Sequence, residues 1–234
     1  MGIQNKKVIA LLPMKGHSER VPNKNLKNFN GKPLYHRVLN TLLECDLIDQ
    51  IIINTDGEKI NQDVQLNFNL DKVIINDRPE TIRGDFVSMN KIIEYDLNHS
   101  NAEIYLQTHS TNPLLTKQSI ATGLKAYNQF LNDKKADSLF SVTKIQSRFY
   151  YKDVTPVNHN PKELIRTQDL PPIYEENSCF YFFNKKSFKD SGNKRIGLLP
   201  KMFTINSVEA IDIDTVEDFL IAENIFKIKN NNDK

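Results

Sequence analysis

Short apolar runs alternate along the first 145 residues with stretches in which apolar side chains recur every three or four positions. The runs at 7–12, 50–54, 72–75, 102–106 and 138–142 are of strand length and apolar without alternation, the pattern of strands buried on both faces. Between the first two, Leu34, Val38, Leu39, Leu42 and Leu43 recur at helical spacing behind Pro33, which suits a first helical turn. A polar helix is expected to about residue 66, a third from Ser88, in a capping position, through 97, and a fourth from Thr116 to about 131. Strands alternating with helices in this way predict an α/β fold, a mostly parallel sheet covered on both faces. The polar loops after the first four strands then share one edge, where open α/β sheets bind ligands.

The rhythm changes at Gln146. Two aromatic strands are expected, at 149–151 and 179–183, around an irregular stretch rich in Pro, Glu and Asn. This predicts an α/β domain made of residues 1–145 and 187–234, with 146–186 as an inserted antiparallel arm. So aromatic a surface wants a partner, which suits a dimer contact. The α/β pattern resumes with a strand at 203–208 and a last helix over 216–229, and the Lys/Asn-rich tail 227–234 is expected to fray.

Composition narrows the partners. The formal net charge of the 234 residues is +2, too mild for a nucleic-acid or membrane-surface reading, so any anion site must be a local cluster. No apolar stretch approaches the ~18 residues of a membrane span. The apolar start is short and leads straight into a charged loop, unlike a signal peptide. The two cysteines, Cys45 and Cys179, have no metal-ligand spacing and read as reduced thiols in a cytoplasmic protein.

Three stretches carry candidate chemistry. The first strand runs into Pro13-Met14-Lys15-Gly16-His17-Ser18-Glu19-Arg20-Val21-Pro22-Asn23-Lys24-Asn25. Lys15, Arg20 and Lys24 offer charge for phosphate oxygens, and Gly16 allows close backbone approach. A solvated basic loop is the competing reading; the stretch is neither GxxxxGK[ST] nor GxGxxG, so ordinary ATPase and dinucleotide readings lose support. Near the other end, Asp212 and Asp214 in Asp212-Ile213-Asp214-Thr215 are hard oxygen ligands suited to Mg2+ on a triphosphate. Alternatively, Asp214 or Thr215 caps the last helix. Between them, the stretch from Arg166 to Asn177 has an Arg, amides and a Tyr that suit an acid sugar, against a structural loop stiffened by Pro171 and Pro172. His109, Ser110, Thr111 and Asn112 form a further polar cluster, with turn chemistry as its plainer explanation.

Taken together these stretches resemble the acylneuraminate cytidylyltransferase family, the CMP-sialic acid synthetases and their relatives for other nonulosonic acids. The family opening Pro-Ala-Arg-x-Gly-Ser-Lys-x-Ile-Pro-x-Lys-Asn is matched by residues 13–25. The likeness continues in Thr55-Asp56, Arg78-Pro79-Glu80, Gly84-Asp85, Thr111-Asn112-Pro113-Leu114-Leu115-Thr116, the run 137–142, Gln168-Asp169-Leu170-Pro171-Pro172-Ile173-Tyr174 with Asn177, and Asp212-Ile213-Asp214-Thr215. These cover nearly the whole chain in the family's order.

The resemblance implies a Rossmann-like, GT-A-like nucleotidyltransferase fold, a three-layer sandwich. It implies a Mg2+-dependent reaction of CTP with a sugar acid, and a homodimer that swaps the mid-chain arm over its partner's site. Carried over by position, Lys15 and Lys24 hold the triphosphate, with Gly16, Ser18 and Arg20 in the same loop. Asn25, Arg78 and Ser88 lie near the cytidine or phosphates. His109, Thr111, Asn112, Arg166, Gln168, Tyr174 and Asn177 serve the sugar acid. Asp212 and Asp214 bind metal, and Lys24, Asp214 and Lys15 carry the chemistry. Several positions depart from the family: Lys15 replaces an arginine, exchanging a fork for a point charge; Glu19 stands where a cation is usual, His109 where glutamine is common, Leu115 for an arginine and Ser178 for a glycine. The acceptor is therefore less defined than the reaction. Sialic, legionaminic, pseudaminic and the shorter 3-deoxy-octulosonic acids all fit. A glycosyltransferase with an Asp-x-Asp site, and a non-catalytic nucleotide-sugar sensor, are the rival functions.

Overall fold

The computed structural model describes residue 3 and residues 6–232. Its strands are β1 (Val8–Met14), the short hairpin β2 (Asn28–Phe29) and β3 (Lys32–Pro33), β4 (Gln50–Thr55), β5 (Val73–Asp77), β6 (Ile104–Thr108), β7 (Ser138–Ile145), β8 (Ile173–Phe183) and β9 (Pro200–Thr204). Its α-helices are α1 (Tyr35–Leu43), α2 (Glu58–Asn67), α3 (Met89–Asn98), α4 (Lys117–Asn132), α5 (Lys185–Asp190) and α6 (Val216–Asn232). Apart from the hairpin, the strands form one seven-stranded sheet in the order β5-β4-β1-β6-β8-β7-β9. The first four of these neighbours run parallel. β8 is antiparallel to both β6 and β7, and β9 is parallel to β7.

Every residue of β1 is buried, and its alternation divides the core in two. Val8, Ala10, Leu12 and Met14 join Tyr35, Val38, Leu39 and Leu42 of α1, Ile60 and Val64 of α2, and Ile120, Leu124 and Tyr127 of α4. Ile9 and Leu11 pack on the opposite face with Ile93 and Leu97 of α3 and Phe188 of α5. These are the three layers that the continuous apolar strands predicted. A third cluster, Phe29, Leu34, Leu114, Ile213, Phe219 and Ala222, fixes α6 against the hairpin and the loop after β6. Among the described residues no helix is long and apolar enough to cross a membrane.

The second half of the chain differs from the sequence expectation in four places. The strand expected at 149–151 is reduced to one isolated bridge between Tyr150 and Pro156, with Tyr150 and Tyr151 exposed. The excursion from the sheet ends by Ile173, not at 186, because β8 is eleven residues long and pairs on both sides within the main sheet. The strand expected at 203–208 lies at Pro200–Thr204, placed by its pairing with residues 138–142 of β7. α6 continues through Asn232, past the point where fraying was expected; the last two residues of that tail lie outside the described residues.

Candidate active site

A cleft of about 700 Å3 opens at the carboxyl ends of β1 and β6. β4 lies on one side of β1 and β6 on the other, so this is where successive connections leave in opposite directions. Lys15, Ser18, Arg20, Lys24 and Asn25 line it from the loop after β1, and Asp85, Phe86 and Met89 from the approach to α3. His109, Ser110 and Thr111 follow β6, and Asp212 and Asp214 precede α6.

The first loop is held open by its own bonds. Ser18 Oγ donates to the Val21 carbonyl at 2.5 Å and accepts from the Lys24 amide at 3.0 Å. Asn23, in the left-handed region at φ 52°, starts a single 3-10 turn at Lys24–Leu26. Asn25 Nδ2 donates to the Lys15 carbonyl at 3.0 Å, and Asn25 Oδ1 accepts from Ser110 Oγ at 2.7 Å. Asn25 therefore ties the loop after β1 to the loop after β6. Lys24 reaches across the cleft: its Nζ donates to the Ile213 carbonyl at 2.5 Å and lies 3.6 Å from Asp214 Oδ1. Arg20 Nη2 is 2.8 Å from the same oxygen. Lys15 turns the other way, donating to Asp85 Oδ1 at 2.7 Å, which holds the Asp85 carboxyl below its usual range.

The acidic side is anchored by the same seam. Ile213 N donates to the Thr111 carbonyl at 2.9 Å. Thr215 Oγ1 accepts from Asp218 N at 3.1 Å, and Asp218 Oδ2 accepts from Thr215 N at 2.8 Å, a reciprocal cap on α6. Capping thus falls to Thr215 and Asp218, and the Asp214 carboxylate is left to the cleft. Burial pushes the Asp212 carboxyl up, the hydrogen bond from Thr111 opposes this, and the Asp214 charge adds to it. Two carboxylates that repel one another beside a polar cleft fit a hard divalent cation, which takes such oxygens together with phosphate and water ligands.

Of the residues expected to serve ligands, Lys15, Ser18, Arg20, Lys24, Asn25, His109, Thr111, Asp212 and Asp214 line this cleft. Others have structural engagements. A Cβ on Gly16 would stand 2.6 Å from Gly57 Cα, and the Gly16 amide donates to Asp56 Oδ1 at 2.7 Å. The loop-to-loop contact therefore requires this glycine, and its N–H is already spent. Arg78 is 1% exposed and gives its N–H groups to Met14 O at 2.9 Å and to both oxygens of Asn54 at 2.8 Å, so it braces the end of β1 from behind. Ser88 precedes α3 without a side-chain cap bond. Asn112 reaches the Ile211 carbonyl at 3.4 Å.

Asn177 was expected to face the sugar. Its Oδ1 accepts from Ser141 Oγ at 2.6 Å and from Cys179 N at 3.2 Å, and its Nδ2 donates to Thr143 Oγ1 at 3.0 Å. The amide thereby fills the register shift between β7 and β8. Ser178 follows at φ 58°, which accounts for the glycine expected there. Arg166 pairs with Asp169 at 2.7 Å; Arg166 and Gln168 sit on the exposed excursion and Tyr174 at the exposed start of β8, all three outside this cleft.

Sequence reasoning passed over Phe86, which is fully exposed at the mouth of the cleft, and Arg195, which lies beside His109. Burial, with the charges of Arg195 and Lys24, lowers the His109 pKa to about 4. Residues 193–195, Asn-Lys-Arg, belong to none of the motifs singled out in the sequence and carry no signal of this placement.

The model of one family, cytidylyltransferase, matches residues 9–230. The chain belongs to the cytidylyltransferase family. This cytidylyltransferase is 25% identical over 238 residues to the pseudaminic acid cytidylyltransferase of Campylobacter jejuni subsp. jejuni serotype O:2, covering 95% of this chain and 97% of that one. It is 24% identical to the N-acylneuraminate cytidylyltransferase A of Danio rerio, covering 94% of this chain and 51% of that protein. Among solved structures, its fold is similar to that of a CMP:2-keto-3-deoxy-manno-octonic acid synthetase complexed with CTP. There the TM-score is 0.69 at 14% identity, over 95% of this chain and 99% of the other. A 4-diphosphocytidyl-2C-methyl-D-erythritol synthase from Anaerococcus prevotii gives a TM-score of 0.65 at 13% identity, over 95% and 99% of the two chains. The α/β sheet of the cytidylyltransferase is thus a nucleotidyltransferase fold, as the sequence led one to expect.

Proposed function

We propose that this enzyme transfers CMP from CTP to the anomeric hydroxyl of a 2-keto-3-deoxy sugar acid of the nonulosonic class, releasing pyrophosphate. The observation that carries the reading is the meeting of Lys24 and Asp214 at 3.6 Å, residues 190 positions apart in the family's order and on opposite walls of one cleft. The names of the curated relatives support a nonulosonic acceptor.

The hydroxyl oxygen attacks the α-phosphorus as the bond to pyrophosphate breaks, so the protein's work is to align the two and offset charge. Lys15, Arg20 and Lys24 pair with the triphosphate, exchanging their present carboxylate partners for phosphate oxygens. The loop from Ser18 to Asn25 keeps those cations in place before substrate arrives. Asp212 and Asp214 would hold Mg2+, which when bound supplies positive charge at the α-phosphate. One of these aspartates accepts the hydroxyl proton, a task suited to Asp212, whose carboxyl burial already pushes up. His109 and Thr111 face the sugar acid from the loop after β6.

The excursion over residues 146–172 presents Tyr150, Tyr151, Val154 and Leu164 to solvent, an apolar surface that suits a second copy of the chain. In a homodimer it brings Arg166 and Gln168, with Tyr174 at the adjoining start of β8, to the partner's cleft. Buried free thiols at Cys45 and Cys179 suit the reducing cytoplasm.

The test is pyrophosphate release from CTP, UTP and ATP against a panel of nine- and eight-carbon 2-keto sugar acids. CTP with a nonulosonic acid is the expected pair. Asp214→Asn should lower that turnover by roughly a hundredfold or more while leaving the fold intact, since the half-exposed Asp214 carboxylate pairs with Arg20 and Lys24 at the cleft and carries no cap. Near-normal turnover of the purified variant with Mg2+ would remove Asp214 from the mechanism.

A further inference from the structure

Beneath His109 lies a polar cluster that the reaction as described does not use. Arg195, on the connection between α5 and β9, has a side chain only 19% exposed. Its Nη1 donates to Gln107 Oε1 at 2.7 Å, and its Nη2 to the Tyr181 hydroxyl at 2.9 Å. Its guanidinium carbon lies 3.7 Å from the centroid of the Tyr181 ring, and Glu176 Oε1 stands 3.7 Å from Nη2. The Tyr181 hydroxyl in turn donates to Glu176 and contacts Ser178 Oγ at 3.0 Å. Gln107 on β6 and Tyr181 on β8 are register partners, so the antiparallel course of β8 through the sheet builds this clamp.

A half-buried guanidinium gripped on three sides is a rigid donor. Its Nη1 also comes within 3.4 Å of His109 Nε2. Arginine has no acceptor to offer, so this contact requires a lone pair on Nε2. The imidazole proton must then sit on Nδ1, the ring's one remaining polar atom. Lys24 also bears on His109 from the first loop, and both cations, together with burial, disfavour a second proton.

We propose that Arg195 is a positioning residue for the acceptor site, holding His109 as a neutral imidazole protonated on Nδ1, so that His109 meets the sugar acid only as a hydrogen-bond donor. This rests on His109 facing the sugar. A glutamine amide at the same place could both donate and accept. His109 locked by Arg195 selects an acceptor group on the sugar: a carboxylate, an amide carbonyl or a hydroxyl oxygen. Arg195, Tyr181 and Glu176 thereby enter substrate choice without touching the nucleotide.

The experiment joins a spectrum to kinetics. In the free wild-type protein, 15N-labelled histidine should report His109 as the Nδ1–H tautomer, neutral down to about pH 5. Arg195→Gln should shift that signal toward the Nε2–H form. It should raise KM for the sugar acid roughly tenfold, the loss of about one well-made hydrogen bond, with KM for CTP unchanged. Arg195→Lys, which keeps one donor, should recover part of the loss. Tyr181→Phe, which keeps the ring under the guanidinium, should give a smaller change in the same direction if Arg195→Gln folds poorly. A wild-type His109 protonated on Nε2, or equal KM changes for CTP and sugar acid, would overturn the proposal. Wild-type protein that turns over no sugar acid would overturn the reaction instead, and the tautomer, read without substrate, would still decide the role of Arg195.

Discussion

At the scale of single residues, the polar groups divide into those aimed into the cleft and those spent on holding its walls. Asp96 on α3 belongs to the second kind. It is fully buried; its Oδ1 accepts from Asn54 Nδ2 at 2.7 Å and Asn76 Nδ2 at 3.0 Å, while Oδ2 has no hydrogen-bond partner among the described residues. Burial outweighs these bonds and the nearby Arg78, and pushes the carboxyl up to about 6. A carboxyl that binds its proton more tightly folded than unfolded stabilises the fold fully below about pH 4 and loses that contribution as pH rises through 6. The loss is on the order of 3 kcal/mol, at about 1.4 kcal/mol for each pKa unit. Asp96→Asn keeps an oxygen for both asparagines and cannot ionise. Its urea midpoint should therefore gain on the wild type between pH 4.5 and pH 7.5; parallel pH profiles for the two proteins would mean that Asp96 does not titrate in this range.

At the scale of elements, the cleft depends on adjacent strands sending their loops into contact. β1 and β4 are parallel neighbours in register up to Met14 and Thr55, and the loops that leave them touch at Gly16 and Gly57. A Cβ on either glycine meets the other's Cα at 2.6–2.7 Å, a backbone clash that no rotamer relieves. Gly16→Ala and Gly57→Ala should each cost about 1–3 kcal/mol in urea unfolding. Both should weaken CTP binding, because Lys15 and Asn25 move with this loop. A Gly57→Ala protein of wild-type stability and CTP affinity would show that the contact is slack. Much of this frame was legible in the sequence. Apolar runs of strand length and Pro33 ahead of a helical pattern put β1, α1, β4, α4 and β7 close to their observed places. The course of β8 was not legible: the arm was expected to be antiparallel but apart from the main sheet, and Cys179-Phe180-Tyr181-Phe182-Phe183, apolar on both faces, gave no sign that it lies between β6 and β7 with its direction opposed to both. The Asn177 bonds and the Arg195 clamp both follow from that direction, so neither could be foreseen from local pattern. Lys24 and Asp214 were foreseeable, because a cation after a buried strand and a carboxylate before a capped helix are local features. Only their meeting needed the fold.

At the scale of the whole molecule, the cleft of one chain accounts for the nucleotide end of the reaction better than for the sugar end. Arg166 and Gln168 lie on the excursion and Tyr174 at the start of β8, outside the cleft of their own chain, and Arg166 pairs with Asp169 on an exposed surface. If two chains exchange these excursions, each complete site takes its triphosphate loop and aspartates from one chain and its Arg166 from the other. That arrangement makes a sharp prediction about mixtures. Asp214→Asn should fail for want of its own carboxylate, and Arg166→Ala should bind sugar acid poorly at the site it serves. In a heterodimer of the two variants, isolated with two different tags, one site combines both lesions and the other combines neither. The heterodimer should therefore recover close to half the wild-type turnover per dimer, far above either parent. If each chain instead folded its excursion over its own cleft, every site in the heterodimer would carry one lesion, and pyrophosphate release would stay at the level of the parents. A chain that sediments as a monomer at working concentration would also end the exchange. The stoichiometry of recovered activity thus reads out which chain supplies the sugar-binding arm.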